Sequence, residues 1–267
     1  MVIQTRKIKR VGSFTEVVED SIAIEEPLEI SMKKESEITT TKVSITMRTP
    51  GNDSDLALGF LFTEGILTDF NDVVSVSEFV ENEILITLKD SAQIKVGQID
   101  RNFYTTSSCG VCGKASIDAI HTVSSFDIDN FDLKVKKEVL YELPASLQQY
   151  QITFNQTGGI HAAALFTNEG ALISYQEDVG RHNALDKLIG EAFTKGQLPL
   201  RNNILLLSGR GSFELLQKAG MAGIPIVACV GAPSSLAIDL AEEQAITLIG
   251  FLKKDRFNLY SRYERVQ

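Results

Sequence analysis

The chain has 267 residues, of which 43% are apolar and 23% charged, and Trp is absent. That composition belongs to a folded globular protein with a sizeable core and excludes an intrinsically disordered one. Lys plus Arg number 26 against 35 Asp plus Glu, a formal charge of −9, which argues against broad capture of nucleic acid or of an anionic membrane but leaves room for a local basic site.

The amino-terminal stretch Met1 to Arg10 is basic but has no apolar run behind it, so it does not read as a secretory signal. The first hundred residues read mainly as strands. Val43 to Met47 and Glu83 to Lys89 alternate apolar with polar residues. Between them the pattern predicts a helix, with Asn52 or Asp53 as its cap, Leu56, Phe60 and Leu61 as its buried stripe, and Gly65 at its exit.

Phe103 to Gly113 (FYTTSSCGVCG) is small, hydroxyl-bearing and bounded by glycine, which predicts an exposed loop, with a helix following from Lys114. Ser124 to Lys137 reads as irregular, and Pro144 as the restart of a helix through Leu147 and Tyr150.

The carboxyl half is more regular. His161–Phe166 and Ala171–Tyr175 flank the turn Thr167-Asn-Glu-Gly170, a hairpin signal. A helix with Ala184, Leu185, Leu188, Ile189, Ala192 and Phe193 on one face follows. Then come strand Ile204–Leu207, a helix from Ser212, strand Ile226–Val230, a helix from Ser234 and strand Ile246–Ile249. Strands separated by helices in this rhythm predict right-handed crossovers and a parallel portion of sheet. The longest uncharged stretch, Ala219 to Ile238, is broken by Pro225 and Pro233 and is not a membrane span. The resulting division is a strand-rich α+β part over 1–104, a loop over 105–113 and an α/β part over 114–267.

In open α/β sheets ligands bind outside the carboxyl ends of the strands. Three successive strand ends here carry loops suited to an anion or nucleotide: Ser208-Gly209-Arg210, then Gly231 to Ser234 and Ser235, then Phe251-Leu252-Lys253-Lys254-Asp255-Arg256. Helix starts with small residues can present free amides to phosphate, the basic side chains supply charge, and Phe251 suits a planar base. Glycine and serine also make ordinary strand-to-helix turns, so each loop alone would not carry this reading. A fourth loop, Glu177 to Asn183, brings His182 in front of a helix, in reach of Asp186 at i+4. His161 reads equally as a ligand contact or a core histidine, and His121 as structural.

Cys109-Gly-Val-Cys112 admits three chemistries. A redox dithiol would lie in a compact domain after an early strand, and a zinc site would need two further ligands. A persulfide carrier needs an exposed thiolate, which a nearby helix start and Lys114 would stabilise. Cys229, within an apolar strand, reads as an inert core residue, and the three cysteines as reduced thiols of a cytoplasmic protein.

Taken together these motifs resemble the formate dehydrogenase accessory sulfurtransferase family. The matching segments are Arg48 to Asp53, Leu58 to Gly65, Thr106 to Gly113, Thr157 to His161, Glu177 to Asp186, Ser208 to Arg210, Ala232 to Ala237 and Gly250 to Arg256. The resemblance implies a cytidine-deaminase-like fold in the larger part and a homodimer. It implies sulfur taken from a cysteine desulfurase as a persulfide on Cys109, with Cys112 assisting. The sulfur would pass to the bis(molybdopterin guanine dinucleotide) cofactor of a molybdenum-dependent formate dehydrogenase, and Phe251–Arg256 would bind that cofactor. Zinc deaminase chemistry is not expected, because the chain has no His-x-Glu and Ser108, not Pro, precedes the cysteine pair. The competing classes are a cofactor-binding chaperone without sulfur transfer and a dithiol oxidoreductase.

Overall fold

A computed structural model describes residues 2–94 and 126–267. Cys109, Cys112, the loop around them, the helix expected from Lys114, His121 and both boundaries at 104/105 and 113/114 lie outside the described residues.

The chain opens with β1 (Ile3–Val11) and β2 (Thr15–Ala23), an antiparallel ribbon. A four-stranded sheet follows, built from β3 (Glu26–Lys34), β4 (Thr41–Arg48), β5 (Val73–Val80) and β6 (Glu83–Leu88) in the order β4-β3-β6-β5. Its inward residues Leu28, Ile30, Ile84 and Ile86 are sealed from solvent, the period-2 burial that the alternating sequence dictates.

Helix α1 (Asp53–Thr63) is where the sequence predicts it, and Gly65 leaves it with φ +68°. Its cap differs from expectation. Asn52 holds the cap position through its carbonyl, which accepts from the Leu56 amide, while its side chain donates to Gln176 at 2.6 Å. Asp53 turns to Arg48, which grips it with two nitrogens at 3.0 and 2.8 Å. A distant partner for Asn52, Gln176, and a nearby arginine for Asp53 therefore outcompete the local cap.

The second sheet has six strands in the order β12-β11-β10-β9-β7-β8. The hairpin β7 (His161–Phe166) and β8 (Leu172–Asp178) lies at one side. The strands β9 (Ile204–Leu207), β10 (Ile226–Cys229) and β11 (Thr247–Gly250) run parallel, as the strand–helix rhythm predicts, and β12 (Asn258–Leu259) closes the other edge. The mixed α/β architecture read from the sequence is the one observed.

Helix α2 (Lys137–Gln148) begins earlier than expected and carries Pro144 inside it. Proline deletes one ladder bond, but Leu140, Leu143 and Leu147 form a buried stripe against the six-stranded sheet, and that tertiary burial decides the outcome. The short α3 (Ile152–Thr157) follows. Helices α4 (Arg181–Thr194), α5 (Phe213–Met221) and α6 (Ser235–Glu243) cover the opposite face of that sheet. One core of α1, α4, α5 and α6 joins the inner faces of both sheets.

Candidate functional site: a cationic rim at one sheet edge

The antiparallel β7 starts where β9 ends, and His161 pairs with Asp178, the last residue of β8. One edge of the six-stranded sheet therefore collects the ends of β8, β9, β10 and β11 and the start of β7. All four polar loops singled out in the sequence meet there.

The loops are joined by main-chain bonds that continue beyond the strands. The Gly231 amide donates to the Gly209 carbonyl at 2.9 Å, and the Phe251 amide donates to the Gly231 carbonyl at 3.0 Å. The Gly211 amide donates to Ala232 at 3.1 Å, and the Ser234 amide to Gly211 at 2.9 Å. Glycine at 231 is required by this closeness, since a Cβ there would meet the Gly209 carbonyl at 3.0 Å and the Arg210 backbone at 3.1 Å. The rim is thus a tied surface, not a set of separate turns.

The structure places the nominated residues as follows. Ser208 accepts from the Ala162 amide through its hydroxyl at 2.9 Å, and Ser234 caps α6 by accepting from the Ala237 amide at 3.3 Å. Arg210 and Ser235 are exposed. Phe251 is 44% exposed, and its φ of +53° is a strained conformation for a bulky side chain. Leu252 differs from its neighbours: its side chain is 1% exposed and packs into the core under the sheet, so only its backbone belongs to the rim. Lys253, Lys254, Asp255 and Arg256 are exposed around a turn in which the Lys253 amide donates to the Arg256 carbonyl at 2.9 Å. His182 meets Glu214 at 2.9 Å, tying the first turns of α4 and α5 together.

Beneath the rim lies a buried polar clamp. Asp178 accepts from the Gly180 amide at 2.8 Å, the Thr49 amide at 3.1 Å and Asn183 at 3.2 Å, and pairs with Lys187 at 2.8 Å. Burial pushes its carboxyl up, and Lys187 opposes that most strongly. Lys187 also donates to the Thr49 carbonyl at 2.8 Å. The turn after β4 thereby fixes the loop that carries Arg181 and His182. Cys229 is fully buried and its thiol is pushed up to about 12 by burial, which makes it an inert core residue as read from the sequence.

Two further residues belong to this edge: Arg181, which the sequence reading placed in the fourth loop without a role, and His161, which it left open between a ligand contact and a core histidine. Arg181 is half-buried, and its Nε is shut off from solvent with no hydrogen-bond partner among the described residues. The His161 ring lies against Gly209, where a Cβ would approach its Nδ1 to 3.4 Å. Burial, then the charges of Arg181 and His182, hold the His161 imidazole below its ordinary range. The sequence signal for both was their position beside a strand end, which alone does not separate a ligand contact from a solvated turn.

The rim presents Arg181, Arg210, Lys253, Lys254 and Arg256 on a chain of charge −9. The orphaned Arg181 nitrogen and the exposed Phe251 fit a ligand that combines phosphate with a planar ring. Among the described residues, no helix is long and apolar enough to cross a membrane, and no group of three or more His, Cys, Asp or Glu is arranged to hold a metal ion.

The sequence profile of the FdhD/NarQ family matches residues 23–267. A chain named sulfur carrier protein FdhD from Streptomyces coelicolor is 45% identical over 276 residues, covering 99% of this chain and 96% of that one. The chain of the same name from Mycobacterium tuberculosis is 46% identical over 259 residues, with 92% of each covered. That from Sulfolobus acidocaldarius is 43% identical over 267 residues, covering 100% and 99%. A crystal structure of a formate dehydrogenase accessory protein from Desulfotalea psychrophila matches all of both chains with a TM-score of 0.75 at 20% identity, a likeness of fold.

Proposed function

Because the chain belongs to the FdhD/NarQ family, we propose that it is a sulfur carrier that serves a molybdenum-dependent formate dehydrogenase. What carries this reading is a joined cationic rim on an acidic chain whose relatives, over nearly its full length, are named sulfur carriers. Sulfur arrives as the persulfide of a cysteine desulfurase. The Cys109 thiolate attacks its terminal sulfur, a new S–S bond forms on Cys109, and the donor cysteine leaves as a thiolate. The bis(molybdopterin guanine dinucleotide) cofactor is the acceptor and rests on the rim through its nucleotide portion, with Phe251 against the base. Attack by the Cys112 thiolate on the inner sulfur of Cys109 would release hydrosulfide and leave a Cys109–Cys112 disulfide, a balanced way to deliver sulfur.

The test is intact mass after incubation with a desulfurase and cysteine. The expected result is a gain of one sulfur atom that a reductant removes and that Cys109→Ala does not show. Retained molybdenum cofactor without any sulfur gain would favour the chaperone class instead. Efficient reduction of insulin disulfides without sulfur gain would favour the dithiol oxidoreductase.

A further inference from the structure

We infer that a cleft at the far end of α4 from the rim binds an α-amino acid with an aliphatic side chain. The inference stands apart from the nucleotide reading of the rim and uses none of its residues.

The cleft lies where β7 ends and β9 begins, roughly 20 Å from the rim by the length of α4. Its volume is about 340 Å³, at the small end of the range of about 300–1,000 Å³ that ligand sites span. That suits a molecule the size of an amino acid. Leu165, Leu188 and Leu200 form its floor and are buried, so the bottom of the cleft belongs to the core. Ile173 borders it and is 48% exposed, so an aliphatic side chain seated there would take apolar surface out of water.

The polar wall of the cleft carries both signs of charge side by side. Glu191 accepts from Ser174 at 2.5 Å, from Gln176 at 3.2 Å and from Lys195 at 2.5 Å. Burial pushes the Glu191 carboxyl up, but those three donors win and hold it below its ordinary range, so it stays an anion. Asp55 adds a second acid nearby: burial first, and the Glu191 charge next, push its carboxyl up. Lys187 also acts on Asp55 but is held by Asp178. Lys195, with its side chain 55% exposed, serves both acids. Two acids sharing one loose lysine leave room for a further ammonium group.

The loop leading to β9 adds the carboxamides of Gln197 and Asn203, which make no hydrogen bond to another described residue. With Lys195 they form a donor set suited to a carboxylate. A simple amine would leave those donors unused, and a simple acid would be repelled by Glu191 and Asp55. A zwitterion satisfies both ends, and the leucine floor selects an apolar body between them.

The experiment titrates the full chain by calorimetry with leucine and with three truncated relatives. Isopentylamine lacks the carboxylate, isocaproate lacks the ammonium group, and glycine lacks the side chain. Leucine should bind with a Kd of about 1 mM or below, and each relative should bind about tenfold or more weakly. Lys195→Met should weaken leucine by about tenfold. Its melting temperature without ligand should be unchanged, since an exposed ion pair contributes little to stability. Glu191→Gln should weaken leucine similarly. If that variant melts lower, Lys195→Met and the truncated ligands carry the decision, because they leave the fold untouched. Isopentylamine or isocaproate binding as tightly as leucine would reduce the cleft to a site for a single charge and overturn the inference. Leucine binding that ignores both variants places the amino acid elsewhere and overturns it, and so does the absence of leucine binding to the natural chain.

Discussion

Gly59 of α1 and Gly190 of α4 lie face to face where the two helices cross. A Cβ on Gly59 would stand 1.9 Å from the Asp186 carbonyl oxygen, and one on Gly190 would stand 1.9 Å from that of Asp55. Here backbone touches backbone. The crossing locks the amino-terminal sheet's helix onto the helix whose first turn carries Arg181 and His182. Since neither backbone can yield without moving a whole helix, Gly190→Ala should destabilise by more than about 3 kcal/mol. Urea unfolding followed by circular dichroism checks this, and a loss under about 1 kcal/mol would show that the helices slide freely.

The Asp178–Lys187 clamp should behave as a buried pair. Removing one partner leaves an uncompensated charge under the rim, so Lys187→Met should cost about 3–5 kcal/mol. Adding Asp178→Asn to it should recover part of that loss, because the stranded carboxylate disappears. Thermal unfolding of both variants measures it, and a double variant no better than the single would mean the clamp acts through shape alone.

His161 gives a pH dependence with a defined sign. Burial first, then the charges of Arg181 and His182, outweigh the opposing pull of Asp178 and lower its proton affinity in the folded protein. Below about pH 6.5 the unfolded chain binds the proton more readily, so this contribution to stability is complete above that pH and lost as pH falls through the folded value. A diphosphate beside the ring should raise the His161 pKa, so GDP should bind more tightly as pH drops below about 6.5. NMR titration of the His161 ring, with and without GDP, reads both effects. A ring whose titration is the same in both samples would remove the anion from its neighbourhood.

Much of this arrangement was legible in the chain. Alternation marked β4 and β6, the turn at Thr167–Gly170 marked the β7–β8 hairpin, and the strand–helix rhythm after Ala184 predicted parallel β9, β10 and β11 and so the edge at which their polar loops meet. What was not legible depended on partners far away in sequence. The start of α2 and its tolerance of Pro144 are decided by burial against the sheet, which no local signal encodes. The Asn52 side chain left its cap for Gln176, 124 positions on. Leu252 read like the rest of Phe251–Arg256, yet beyond the end of β11 its amide donates to the Cys229 carbonyl and its side chain is buried in the core. Arg181 is informative only because the acids around it are engaged elsewhere, a property of the assembled fold.

Phe251 offers a way to separate strain from ring chemistry. Its φ of +53° is unfavourable for a bulky side chain, whereas asparagine tolerates that region, and its amide bond to the Gly231 carbonyl does not involve the side chain. With the ring 44% exposed, little packing is at stake. Phe251→Asn should therefore fold with unchanged stability or gain about 0.5–1 kcal/mol from relieved strain. If the ring stacks on a base, the same variant should lose about 1 kcal/mol or more of GDP and guanosine affinity alike, while pyrophosphate binding stays the same. Denaturation and parallel titrations of the three ligands are sufficient. A Phe251→Asn protein that is stabilised yet binds guanosine normally would show that the strain serves the turn toward Lys253 and that the base lies elsewhere.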